Sequence, residues 1–341
     1  MLGERAARSI DCCLRSGNRS KVVLCCAAVL GGIAFASATA AQTYPSKPVR
    51  VIVSTAPGGA SDFILRPVIQ KVSESLKQPF VVDNRAGANG IIAMELTAKA
   101  AADGYTLLFG TAGSHVTNVA IHEKLPFDVI KDFSPITKFV NTPFLLSVHP
   151  SVPAVSVQEF VALAKANPGK ITYASYGVAS FSHLLAEWFS LVAGVKMVHV
   201  PYKGSAPAIA ALIAGQVQSE FDSMPSSMPH VRGNRLRALA IGSPKRSAVA
   251  PEIPTFAEAG LPGFAASTWF GLFAPANTPR PIVMQLHAEI VKALAIPEIR
   301  NRLESVGAEP AGNTPDQFTA QIRSDIDRYV KVAREANIRA E

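Results

Sequence analysis

The stretch Val49-Arg50-Val51-Ile52-Val53-Ser54-Thr55-Ala56-Pro57-Gly58-Gly59-Ala60-Ser61-Asp62 decides the fold. Val49 to Ser54 is a β-rich apolar run. Pro57-Gly58-Gly59 ends it, and Ser61 to Gln78 reads as a helix. Phe80 to Val82 is a second β-rich run, closed by Asp83-Asn84-Arg85-Ala86-Gly87. Gly90 to Ala102 is helix-like, with Ala, Met and Leu on one face, and Thr106 to Gly110 is a third strand. Strand, helix, strand, helix, strand predicts a parallel, doubly wound sheet.

Outward from that unit the pattern begins again. Leu125 to Pro153 is punctuated by proline, and Phe144 to Val148 opens a second set. Helices are expected over Val155–Ala166, Ser182–Ala193 and Ala206–Ala214. Strands are expected over Ile171–Ser175, Lys196–Pro201, Gln218–Asp222 and Leu236–Ile241. Ser243 to Pro262, rich in Pro, Ala and Gly, reads as a connection. Trp269 to Ala274 is strand-like, and three helices close the chain: Pro281–Ala295, Pro297–Val306 and Thr314–Ala336. Thr314-Pro315-Asp316-Gln317 is a helix start, a Thr cap with Gln three residues on. A late strand followed by helices can return to the first domain. The expected architecture is two doubly wound α/β domains with a ligand cleft between them. Residues 41–140 and 255–341 form the first, and residues 141–254 the second.

Toward the N-terminus, Arg5, Arg8, Arg15, Arg19 and Lys21 precede an uncharged apolar run, Val22 to Phe35, and then Ala36-Ser37-Ala38-Thr39-Ala40-Ala41. This is the pattern of a secretory signal peptide over residues 1–40, cut after Ala40 or else Ala41. All four cysteines (Cys12, Cys13, Cys25, Cys26) fall in it. The exported chain is therefore expected to lack disulfides, a thiolate nucleophile and Cys-ligated zinc. Removing five basic and two acidic residues leaves 28 against 23, a net charge of +5. That forms no dense basic stripe, so no nucleic-acid partner is expected. A hydrophobic fraction of 48% excludes a disordered chain. No later segment has eighteen uninterrupted apolar residues, which predicts a protein of the periplasm or the medium.

Enzyme motifs are scarce. There is no His-Glu-x-x-His, Gly-x-Ser-x-Gly, phosphate loop or Gly-x-Gly-x-x-Gly. The seven histidines are single, and no metal or cofactor is expected. What the chain offers is loops that present backbone donors. Pro57, Gly58, Gly59, Ser61 and Asp62 stand between a strand and a helix. There, glycine lets a ligand approach the backbone and helix amides face an anion. Asp62 reads as a capping residue, and Phe63 follows directly. A second loop, Gly110 to His115, carries Thr111, Ser114 and His115. A third, Ser175 to His183, carries Ser175, Tyr176, Ser180 and Ser182. A fourth, Val200 to Ser205, carries Tyr202 and Lys203. All four follow expected parallel strands, where open α/β sheets bind ligands. Trp188, Trp269 and most phenylalanines read as core, with Phe63 the exception.

With these loops in place, the chain resembles the Bug-type (TctC-like) periplasmic solute-binding proteins of the tripartite tricarboxylate transporter system. The resemblance is carried by Tyr44-Pro45-Ser46-Lys47-Pro48, Pro57 to Asp62, Val82 to Gly90, Asp103 to Leu108, Leu125-Pro126-Phe127-Asp128, Lys131-Asp132-Phe133 and Val200 to Pro207. It runs in order over essentially the whole exported chain. It implies a type II periplasmic-binding arrangement and a small carboxylate ligand: a di- or tricarboxylate, an acidic amino acid or an aromatic acid. Two loop pincers, Pro57–Asp62 and Ser175–His183, are implied to hold it through amides, hydroxyls and water. Thr111, Ser114, His115 and Asp222 match further polar positions. Departures are Val116-Thr117-Asn118-Val119, where Asn-Pro is common, a Tyr at 176 where a small residue is usual, and Glu220 beside Phe221. A bulky Tyr176 favours a smaller or a flat aromatic acid.

Three readings follow. One is a monomeric binding protein that delivers a carboxylate to the membrane subunits of a permease. Another is a ligand-binding partner of a membrane sensor kinase. The third is a Ser/His hydrolase, for which neighbouring Ser-His pairs alone build no triad. The first is preferred, and the chain is not expected to be an enzyme.

Overall fold

In β1 (Val49–Val53), Val49, Val51, Ile52 and Val53 are fully buried, and only Arg50 reaches the surface. An apolar run without alternation is a strand covered on both faces. In the computed structural model the described residues are 44–262, 264, 266–335 and 338. The chain divides into Met1–Ser46 and Lys47–Glu341, and everything below concerns the second unit. The expected signal peptide, residues 1–40, lies outside the described residues.

After β1 come α1 (Ala60–Leu76), β2 (Phe80–Asn84), α2 (Ile91–Ala98), β3 (Thr106–Thr111) and a short α3 (Asn118–Ile121). β2 and β3 flank β1, both parallel to it, as the strand–helix order predicts. The next strand, β4 (Phe133–Val148), is sixteen residues long. Then follow α4 (Val157–Ala166), β5 (Thr172–Ser175), α5 (Phe181–Ala193), β6 (Val198–Pro201), α6 (Ser205–Ile213), β7 (Ser219–Ser223), α7 (Met224–Arg232) and β8 (Arg237–Ile241). The chain closes with β9 (Ser267–Pro275), α8 (Arg280–Ala295), α9 (Pro297–Glu304), β10 (Glu309–Pro310) and α10 (Pro315–Glu335).

β4 corrects the expectation that the second set starts at Phe144. It begins eleven residues earlier and serves two strand groups. Up to Pro143 it pairs antiparallel with β9 on one edge, and Val140 and Asn141 pair with β10 on the other. From Phe144 it pairs with β7 and β8. The orders are therefore β2-β1-β3-β9-β4-β10 and β8-β4-β7-β5-β6, with β5 parallel to β6 and β7. Proline made this segment look like loop, because it cannot donate to a ladder. Both prolines stand where the ladder is already interrupted. Pro135 borders a register shift, and Pro143 faces Ser267 at the change of partners.

The expected connection over Ser243–Pro262 runs from β8 to β9 with no helix or strand of its own, and it is packed. It pairs Thr255 with Ile241 and buries Ile253, Phe256 and Ala259. Phe256 stacks on Phe221 at 6.0 Å and meets Phe264 edge-on at 4.6 Å. An apolar side chain every few residues, rather than the proline content, decided its fate. At the last helix the expected cap forms. Gln317 N donates to Thr314 Oγ1 at 3.3 Å, and Thr314 N donates to Gln317 Oε1 at 3.1 Å. Ala336, the expected end of that helix, lies outside the described residues. No described helix is long and apolar enough to cross a membrane.

Candidate ligand-binding site

β1 and β3 in one strand group and β5 and β6 in the other are parallel strands whose carboxyl ends run into glycine- and serine-rich loops. A cavity of about 590 Å³ opens among those loops, in the size range of pockets that bury a small ligand.

Its first wall comes from Ser54–Ser61, Ala86–Gly90 and Thr111–Ser114. No charged side chain of these segments lines the cavity. Asp62 is turned behind the loop, where its Oδ2 accepts from Gly58 N at 2.6 Å and Arg66 pairs with its Oδ1 at 3.0 Å. Thr55 Oγ1 donates to Ser61 Oγ at 2.7 Å. Ser114 Oγ accepts from Thr111 N at 3.0 Å, and Thr111 Oγ1 accepts from Ser114 N at 3.2 Å, which locks that turn. The Ala86–Gly90 segment is strained. Ala88 and Asn89 sit at φ 45° and 49°, a region L-residues avoid. Asn89 Nδ2 donates to Asn118 Oδ1 (2.9 Å), Gly113 O (3.2 Å) and, on the opposite wall, Ala179 O (3.3 Å).

The second wall is built differently. Tyr176, Phe181 and Tyr202 line it, with Phe144 of β4, and Phe270 of β9 faces them from the first group. Asp222, at the end of β7, is 1% exposed. Its Oδ2 accepts from Ser205 Oγ at 2.5 Å, and its Oδ1 accepts from the Tyr176 hydroxyl and from Ser223 N at 2.5 Å. Burial pushes its carboxyl up to about 6 against these hydrogen bonds, which favour the ionised form. Burial and then the Asp222 charge hold Glu220, two residues earlier, far above the usual carboxylate range. Its oxygens have no partner among the described residues, so it stays protonated. Lys203 lines the rim and is exposed.

The walls meet at helix starts. α1 and α6 both begin on glycine, Gly59 and Gly204, and neither carries a side-chain cap. The first N–H groups of a helix have no partner within it, and the helix dipole makes that end positive. A Cβ on Gly59 would stand 4.0 Å from Ser205 Cβ, and one on Gly204, at φ +115°, would stand 3.3 Å from Ala56 Cβ. Two uncapped starts from opposite walls thus converge on one cavity. This arrangement suits an anion held by amides and hydroxyls.

Of the residues expected here, Pro57, Gly59, Ser61, Thr111, Ser114, Tyr176, Ser180, Tyr202, Lys203 and Asp222 line the cavity. Gly58, Asp62, Phe63, His115, Ser175 and Ser182 do not, and each has a reason. Gly58 and Asp62 brace the turn from behind. Phe63 lies under the Arg302 guanidinium, 5.1 Å from it. His115 is fully buried, stacked on Phe273 at 4.0 Å, and burial lowers its pKa to about 3. Ser175 Oγ hydrogen-bonds His199 Nε2 at 2.6 Å, and Ser182 Oγ accepts from Tyr176 N at 3.0 Å. Behind them His183 and His199 stack at 4.0 Å, and burial lowers each to about 4. Sequence reasoning missed Asn89, Phe144 and Phe270, while Phe181 and Ser205 fall within the third and fourth loops and line the cavity. The run Gly87-Ala88-Asn89-Gly90 directly after a strand was a turn signal of the same kind as the four loops chosen.

Neither neighbouring Ser-His pair forms a triad among the described residues. Ser114 Oγ lies 3.2 Å from His115 Nδ1, but His115 Nε2 has no partner among the described residues to orient it. In the Ser182-His183 pair, His183 Nδ1 accepts from Ala179 N at 3.0 Å.

Fold and cavity together define a solute-binding receptor of the periplasmic-binding type. Residues 64–338 match the family described as the tripartite tricarboxylate transporter family receptor (TctC), and the chain belongs to that family, one of solute receptors and not of enzymes. Protein BugT of Bordetella pertussis (strain Tohama I) is 38% identical over 301 residues, 88% of this chain and 92% of its own. Rpa4515 of R. palustris, solved with adipate, is 36% identical with a TM-score of 0.84, covering 87% of this chain and 99% of that one. MatC (Rpa3494) from Rhodopseudomonas palustris, solved with bound malate, is 34% identical with a TM-score of 0.81, covering 85% and 99%.

Proposed function

We propose that this chain is an exported periplasmic receptor that captures a small carboxylate and delivers it to the membrane subunits of a tripartite permease. The observation that carries the reading is the convergence of the uncapped α1 and α6 starts on a cavity that, among the described residues, has no basic side chain except Lys203 at its rim. A carboxylate held by neutral donors needs no buried countercharge. Adipate and malate in the two related structures support the ligand class. The strand groups β2-β1-β3-β9 and β7-β5-β6, joined by β4, act as lobes, and closure on the ligand gives the form a permease reads.

Thermal unfolding of protein stripped of ligand by refolding tests this, against mono-, di- and tricarboxylates. A ligand at a hundred times its dissociation constant adds about 2.7 kcal/mol, a clear rise in Tm. No shift with any member of the panel, on folded protein, contradicts the reading. N-terminal sequencing of the exported protein is expected to begin at Ala41 or Gln42. Loss of uptake of the identified ligand on gene deletion tests delivery.

A further inference from the structure

The carboxylate reading leaves the rest of the ligand open, and the second wall speaks to it. Phe144, Tyr176, Phe181, Tyr202 and Phe270 all line the cavity. Phe144 meets Phe181 edge-on at 5.2 Å and Tyr176 at 6.4 Å, tilted by 40°. A ligand ring laid against the cavity side of this cluster gains edge and face contacts of the kind aromatic rings prefer.

The polar atoms around Asp222 on that wall are already engaged. The Tyr176 hydroxyl, Ser205 Oγ and Ser223 N all point at Asp222, and Ser223 Oγ lies 3.3 Å from it. A second carboxylate placed there would meet a buried carboxylate whose donors are turned away from it. Like charges in so dry a site repel strongly. Among the described residues the one cation lining the cavity, Lys203, is exposed at the rim.

We infer that the site, on the carboxylate reading above, selects an aromatic monocarboxylate: its carboxylate lies at the α1 and α6 starts, its ring among Phe144, Tyr176, Phe181 and Phe270, and the Tyr176–Asp222 pair excludes a second carboxylate. Tyr176 is the residue that sets this preference. Its ring forms part of the aromatic lining, and its hydroxyl holds Asp222 in place.

Isothermal titration of the refolded, ligand-stripped protein with benzoate, adipate and malate tests it. Benzoate is expected to bind at least about tenfold more tightly than either dicarboxylate. Tyr176→Ala is expected to weaken benzoate about tenfold and to narrow that gap. Tyr176→Phe keeps the ring but removes a donor to Asp222, and is expected to weaken benzoate less than Tyr176→Ala does. If adipate or malate binds more tightly than benzoate, the aromatic selection is wrong and the carboxylate reading stands. If none of the three binds to protein shown folded by circular dichroism, nor any acid of the wider panel, the carboxylate reading falls too. A folded Tyr176→Ala protein with unchanged benzoate affinity overturns the role given to Tyr176. Should that variant not fold, the parent's ranking and Tyr176→Phe decide.

Discussion

The two walls of the cavity solve different problems. The wall from β1 and β3 is neutral and small: Gly, Ala, Ser, Thr and Asn, with its one nearby acid turned away to brace a loop. The wall from β5, β6 and β7 carries aromatic rings and a buried carboxylate wrapped in donors. Neutral donors with little side chain let an anion reach the backbone. Rings and a fixed negative charge decide what else the anion brings. On the proposed reading both strand groups that β4 joins supply a helix start for capture, and the second adds the rings and the charge that select.

The harshest way to break this division is to block the meeting of the walls. Gly204→Val puts a branched side chain at φ +115°, against Ala56. Ligand affinity measured by titration is expected to fall about a hundredfold or more, with Tm lowered less, since the position lies at a loop.

Next in size is a pair of opposite pH effects, one behind each wall. His115 titrates near 3 in the fold, below its unfolded value of about 6.5. Its contribution is present in full above about 6.5 and is lost as pH falls toward 3. Asp222 titrates near 6 in the fold, above the ordinary aspartate value of 3.8. Its contribution is present in full below that value and is lost as pH rises through about 6. Urea unfolding of the parent against His115→Phe is expected to show the parent losing about 2–3 kcal/mol relative to the variant between pH 7 and about pH 4.5. Against Asp222→Asn, the parent is expected to lose a similar amount, about 2–3 kcal/mol, as pH rises from about 4 to 7. Slopes of the same sign would collapse the comparison.

Asn89→Ala sharpens it. Loss of the hydrogen bonds to Asn118, Gly113 and, across the cavity, Ala179 is expected to weaken binding about tenfold and stability by about 1–2 kcal/mol. The smallest effect belongs to Lys203→Gln. An exposed rim charge acts on encounter, so the association rate is expected to drop at low salt and to change less than about threefold at physiological salt.

Where local chemistry and fold agree, the sequence was readable. The apolar run Val49–Val53, the Pro-Gly-Gly break and the Thr314–Gln317 cap each became what their residues favour. The four loops at strand ends were legible because that position follows from topology. Side-chain direction was not. Ser175, Ser182 and His115 carry the right chemistry in the right loops, yet they turn inward to His199, to Tyr176 N and to Phe273. Local sequence does not encode that rotation. β4 hid behind Pro135 and Pro143, because its ladder breaks are set by β7 and β9, which lie far away in sequence. Phe144 and Phe270 reach the cavity for the same reason, one on β4 and the other on β9.

The central claim is that a ligand carboxylate rests where α1 and α6 begin. A crystal structure of the refolded protein with the tightest-binding acid of the panel tests it most directly. The account predicts carboxylate oxygens within hydrogen-bonding distance, about 3 Å, of amides in Gly59–Ser61 and Gly204–Ala206, with the body of the ligand against Tyr176 and Phe181. A carboxylate bound at Lys203 on the rim, or a ligand outside this cavity, would contradict it.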